Sequence, residues 1–146
     1  MKVKKLFRHC LKTSLFLAAV MYAAGACADV VVVVSAKSEI THLTAEQVTK
    51  IFLDKTDTFP DGSNVVPVDQ NEGSAIRDEF YSKVANKSRS QLSAYWTKII
   101  FTGNGYPPKQ LEGDASVKKA VANNPNAIGY INRIAVDGSV RVILAP

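Results

Sequence analysis

The sequence predicts an α/β fold: a mixed sheet of four or five strands with helices packed on both faces. Two observations carry that expectation. Short β-branched runs at residues 30–34, 65–68, 127–131 and 140–144 alternate with segments of three- and four-residue apolar spacing. A glycine-bearing loop at residues 69–73 joins a strand to a helix, the order in which α/β proteins place ligand sites.

Each element has a local reason. Residues 30–34 are an unbroken valine run without alternation, which reads as a strand buried on both faces and set inside the sheet. Leu43, Thr44, Gln47 and Val48 form a helix start, with Thr44 as N-cap, Gln47 closing a capping box and Leu43 stapling onto Val48. Val48, Ile51 and Phe52 make its apolar face, and the helix should stop near Asp54. His42, just before it, reads as a solvated loop residue. Pro60, Asp61 and Gly62 are turn chemistry, and residues 65–68 form the second strand. The next helix, starting near Gly73, buries Ile76, Phe80 and Val84, spaced by four. Ser90 is the expected cap of a third helix with Leu92, Tyr95, Trp96, Ile99 and Ile100 at inward spacings. Trp96 belongs to the core there, with Tyr95 at its margin. Residues 101–108, with two glycines and two prolines, cannot continue that helix and form a structural loop or a rim of the site. Asp114 is the expected cap of a shorter helix burying Val117, Ala120 and Val121, ended by Asn123, Asn124 and Pro125. Strands at 127–131 and 140–144 complete the sheet, the last after the turn Asp137, Gly138, Ser139.

Residues 1–28 have the three parts of a secretory signal peptide: a basic start, an apolar stretch, and Ala26 and Ala28 at the positions before cleavage. The apolar stretch is shorter than the roughly 20 residues a membrane span needs. Lipidation at Cys27 is the alternative processing route, with Ala24 where such boxes usually carry leucine. Cleavage after Ala28 removes Lys2, Lys4, Lys5, Arg8 and Lys12, leaving 13 basic residues (18 less these five) against 13 acidic ones. The net charge of +5 therefore gives no argument for a nucleic-acid or membrane-surface partner. Both cysteines, Cys10 and Cys27, leave as well, and with them any disulfide or thiolate site. Residues 29–146 are the size of one domain, and with His42 their only histidine, multi-histidine metal sites are excluded. No cofactor is expected.

Three stretches resemble the phosphate-binding proteins of ABC transporters. Residues 31–55, through Ile51-Phe52-Leu53-Asp54-Lys55, are similar to the segment entering that family's second lobe, which usually ends in I-F-x-G-K; Asp54 replaces the glycine. Residues 67–80 resemble its strand and R-x-x-G-S-G-T-R-x-x-F loop, and residues 124–131 its P-G-A-I-G-Y-V strand. The resemblance implies a three-layer α/β/α single lobe of the type II periplasmic binding-protein fold. It implies ligand contacts from Gln70, Gly73, Ser74, Ala75, Ile76 and Arg77. Gly73 and Ser74 match the loop's G-S, Ala75 replaces its second glycine, and Arg77 matches the arginine that follows. Gln70 stands in place of the phosphate-pairing arginine and Ile76 in place of the threonine. The loss of a bidentate guanidinium removes the strongest kind of phosphate contact.

The expected function is an exported, periplasmic solute-binding-type module with weak affinity for phosphate or another small oxyanion, linked to ABC transport through a transporter or envelope protein. The alternative is a cell-envelope interaction module that has kept the lobe and lost the ligand site. No nucleic-acid partner and no stable membrane insertion after signal cleavage are expected. Enzymatic activity is not expected, because no acid, base and nucleophile set can be assembled, and Asp78 and Glu79 read as favouring a helix dipole.

Overall fold

The computed structural model describes residues 28–146; both cysteines and all of the expected signal peptide but Ala28 lie outside the described residues. The chain runs β1 (Val30–Ser35), α1 (Ala45–Phe52), β2 (Val66–Gln70), α2 (Ala75–Ala85), α3 (Arg89–Phe101), β3 (Lys109–Leu111), α4 (Gly113–Ala122), β4 (Ala127–Asn132) and β5 (Val140–Leu144). The strands form one mixed sheet in the order β3-β2-β4-β1-β5. β2 pairs in parallel with β3 and β4, whereas β1 runs antiparallel to both β4 and β5. The fold is α/β, as the alternation of elements requires.

The valine run explains the layering. Val30, Val32 and Val34 point into one core with α1, α2 and α3; Val31 and Val33 point into the other with α4. A strand alternates its side chains between faces, so only a strand covered on both sides can be valine throughout. The result is helix, sheet, helix. β4 obeys the same rule, with Ile128 and Tyr130 in the first core and Ala127 and Ile131 in the second.

The first helix starts as the sequence dictates, with Thr44 and Gln47 exchanging both capping-box bonds. Its last turn closes at Leu53, and Asp54 then takes a left-handed φ of 55° at the position where the resembling proteins carry glycine. The Asp54 carboxylate accepts from the Tyr106 amide at 3.0 Å, tying the end of α1 to the loop after α3. His42 is exposed, Trp96 is buried, and Tyr95 sits at the core margin with its hydroxyl on the Leu53 carbonyl at 2.7 Å.

Several boundaries differ from expectation. Ser88, not Ser90, caps α3 and shares a capping box with Gln91; Ser90 sits inside the first turn. Glu112, not Asp114, holds the N-cap position of α4, and Asp114 turns to another partner. Ile100 is about half exposed rather than inward: the face that α3 buries is centred on Leu92 and Trp96, with Tyr95 and Ile99 partly buried at its margin. The three-residue strand β3 was not expected. Its Lys-Gln-Leu has no β-branched residue, and pairing with β2 makes it a strand. Among the described residues no helix is long and apolar enough to cross a membrane.

Gly129 shows how tightly α4 is laid on the sheet. A Cβ there would meet Val117 Cγ1 at 2.7 Å and Val121 Cγ2 at 3.0 Å. Gly129→Ala is expected to cost about 1–3 kcal/mol through overpacking. Combined with Val117→Ala, it should cost less than the two single changes added together, because the smaller side chain makes room for the new methyl. Urea denaturation of the three variants measures this, and strict additivity would show that the contact is not the cause.

Candidate functional site

The site lies where the chain reverses its progress across the sheet. From β2 the chain passes through α2 and α3 on one face to β3; from β3 it passes through α4 on the other face and returns past β2 to β4. The loops leaving the carboxyl ends of β2 and β3 therefore part toward opposite faces and leave a crevice between them. They are joined at its base by the Asn71 amide, which donates to the Leu111 carbonyl at 3.2 Å.

Helix capping divides at this crevice. The helices that start elsewhere, α1 and α3, have complete capping boxes, while α2 and α4 have no side-chain cap at all. Ser74 is the N-cap residue of α2, yet its hydroxyl donates to Gln70 Oε1 at 3.3 Å instead of accepting from the first turn. The leading N–H groups of that helix carry partial positive charge and receive no side-chain acceptor. Gly73 precedes them at a φ of 86°, a conformation other residues rarely adopt, with open space where a Cβ would lie.

Gln70 links the two helix starts. Its side chain is buried, and Nε2 donates to Asp114 Oδ1 at 2.8 Å and to the Tyr130 carbonyl at 3.2 Å. With Ser74 on Oε1, the Gln70 amide is bonded at both ends. Asp114, in the first turn of α4, thus accepts from β2 rather than capping its own helix.

Behind the crevice sits a buried polar group that the sequence reading did not identify. The Asp69 carboxylate is fully buried and accepts from the Tyr130 hydroxyl, the Gln70 amide at 2.9 Å, Tyr81 Oη at 3.1 Å and Arg77 Nε at 3.2 Å. Burial pushes this carboxyl up, against the lowering pull of Tyr130, Arg77 and Tyr81. Burial likewise works against the Arg77 charge, but the Asp69 carboxylate and the two tyrosines more than offset it and raise Arg77 above its ordinary value. The one available signal was spacing. Arg77 and Tyr81, four apart, share a helix face, and that face meets the strand residue beside Gln70.

The expected site residues fall into two groups. Gly73, Ser74 and Ala75 line the start of α2, with Gly73 and Ala75 exposed. Gln70 lies beneath them, bonded as described. Ile76 turns into the core with α1 and Phe80, so only its backbone N–H faces the helix start. Arg77 is 3 % exposed and points its Nε at Asp69 rather than toward the crevice. The exposed acid Glu72 stands in the same loop. Among the described residues no group of three His, Cys, Asp or Glu side chains is placed to hold a metal.

No protein-family model and no curated protein matches this sequence. Solved structures do. A phosphate ABC transporter substrate-binding protein with bound phosphate, so described, from Clostridium perfringens shares 25% identity at a TM-score of 0.62, over 79% of this chain and 44% of its own. An ABC-type phosphate transport receptor from Vibrio cholerae shares 21% identity at a TM-score of 0.62, over 79% of this chain and 45% of its own. PstS from Borrelia burgdorferi shares the fold at 12% identity and a TM-score of 0.59, with 46% of its length covered. The chain thus spans less than half the length of each. The motif resemblance and the structural likeness name the same group of proteins, and the partial coverage fits a single-lobe form.

The buried pair behind the site makes a clear demand on stability. Asp69→Asn keeps the volume but leaves the Arg77 guanidinium buried opposite a neutral amide, which should cost about 3–5 kcal/mol. Adding Arg77→Met to the same chain should recover part of that loss, and chemical denaturation reads both effects. A double variant no better than Asp69→Asn alone would mean the charge pair is not what the core depends on.

Proposed function

We propose that this protein is a solute-binding-type module, working in an exported setting, whose crevice takes a small oxyanion, phosphate first, at the start of α2. The observation that carries this reading is the missing side-chain cap on α2 at the point where the strand order reverses. A helix start of this kind attracts an anion through its free N–H groups and its dipole, without a cationic side chain. The backbone N–H groups of Ala75, Ile76 and Arg77 would contact the ligand, with the Ser74 hydroxyl released from Gln70 as a further donor. The likeness to the Clostridium perfringens protein, solved with phosphate bound, supports the choice of ligand.

Affinity in this reading is low. Gln70 supplies an amide where a guanidinium would pair two phosphate oxygens, and Arg77 is turned to Asp69. Binding should fall in the high micromolar to millimolar range, about −4 to −6 kcal/mol. Coupling to a transporter, and a location in the periplasm, belong to the same proposal and rest on the resemblance.

A second reading has its own observation. Phe101 is 91% exposed and Tyr106 is 74% exposed, both around the end of α3. Large exposed aromatics of this kind mark protein contacts, so the alternative is an envelope interaction module without a ligand.

Titration of the protein with inorganic phosphate, followed by amide NMR, separates the two. Saturable shifts are expected at residues 74–77, strengthened several-fold by Gln70→Arg. If phosphate leaves those amides unmoved in both forms, while sedimentation shows self-association that Phe101→Ser abolishes, the interaction reading replaces the first.

A further inference from the structure

A cavity of about 700 Å³ opens beside the crevice, between α2, α3 and the β3 edge, and includes Arg77, Leu92, Ser93, Trp96, Thr97 and Ile100 in its lining. We infer that it is a separate binding site for a small monocarboxylate with an apolar body, its carboxylate held by the terminal nitrogens of Arg77. Arg77 is the reason. Its Nε–H is committed to Asp69, yet no acceptor among the described residues takes a hydrogen bond from Nη1 or Nη2. Four N–H donors on a side chain 3 % exposed are left to a cavity that the same side chain lines. Neither Nη is sealed from solvent without a partner, so both stay open to an incoming acceptor, and a carboxylate that accepts two parallel N–H bonds is the ligand such a fork fits best.

The electrostatics agree with the geometry. Asp69 already has three donors besides Arg77, so its charge is spread over Tyr130, Tyr81 and the Gln70 amide. Arg77 lines the cavity while its Nε–H is held by Asp69. The lining carries Glu72 beside Arg77 and Arg89, and Arg89 is paired with Asp78, so a single guanidinium is left for a single carboxylate. The wall of Leu92, Trp96 and Ile100 supplies the apolar surface, and the volume lies within the range of small-molecule sites. Trp96 lines the same cavity, with its Nε1 buried and without a partner in the wall behind it.

Trp96 is the only tryptophan in the chain, so its indole N–H gives a single resonance beside the cavity. Phenylacetate is the probe, with phenylacetamide as the neutral control and inorganic phosphate as the competitor. Phenylacetate should move the indole resonance saturably at millimolar concentration or below, phenylacetamide at least tenfold more weakly, and phosphate not at all. Ser93→Phe, at an exposed α3 position on the cavity wall, should abolish the response while the thermal melt is unchanged. Arg77→Gln should weaken phenylacetate and leave phenylacetamide as it was. If Arg77→Gln fails to fold, Ser93→Phe alone decides. An equal response to the acid and the amide, or one that survives Ser93→Phe, would overturn the inference. Phosphate shifts at the Ala75 amide report the other site, so either proposal can fail without the other.

Discussion

The buried carboxylate of Asp69 holds the crevice end of the sheet together. It sits on β2 and takes hydrogen bonds from β4 through Tyr130 and from α2 through Arg77 and Tyr81, so three elements are fixed against one another by one group. Around it, Phe80 stacks on Tyr130 with ring centroids 4.0 Å apart, and Phe52 meets Phe80 edge-on at 4.7 Å. The aromatic layer excludes water from the carboxylate, and the carboxylate's donors in turn orient the rings. An unpaired carboxylate here would be prohibitively costly, so the donors and the packing stand or fall as a unit.

That unit determines what the crevice can do. With Arg77 drawn inward, the start of α2 has only backbone amides and one serine to offer an anion. Gln70 compounds this by bonding Asp114 and Ser74, which holds two helix starts in register but spends the side chain that would otherwise reach outward. The contrast with α1 and α3 is informative. α1 and α3, which start away from the crevice, have complete capping boxes; α2 and α4, which start beside it, have no side-chain cap. Foregoing a cap costs about 1 kcal/mol per helix, an expense that makes sense if a ligand replaces the cap.

Much of the fold was legible because its signals are local. The valine run, the Thr44 capping box and the four-residue stripe of α2 each follow from one stretch of chain. What was missed depends on tertiary partners. β3 is a strand only because β2 lies beside it, and Ile100 is exposed because the face α3 buries is centred on Leu92 and Trp96. In the site, the loop at residues 73–75 could be located from its glycine and serine. The direction of Arg77 could not, since it is set by a carboxylate eight residues earlier on a different element. Position 70 could be recognised as lacking an arginine, but nothing in the chain announces that glutamine there would bridge to Asp114, forty-four residues on.

Among the described strands β1 is the one whose direction is opposite to that of the other four, and its two neighbours, β4 and β5, follow more than ninety residues later in the sequence. During synthesis its five consecutive valines therefore emerge without either of their partner strands until residues 127–144 have been made. Contacts between such distant segments form late and slowly. β2 and β3 can pair before then, but β1 stays unpaired for as long as β4 and β5 are missing. A short, uncharged β-branched segment waiting in that state is prone to pair with copies of itself, so the order in which the strands are made sets a window of exposure that the finished fold conceals.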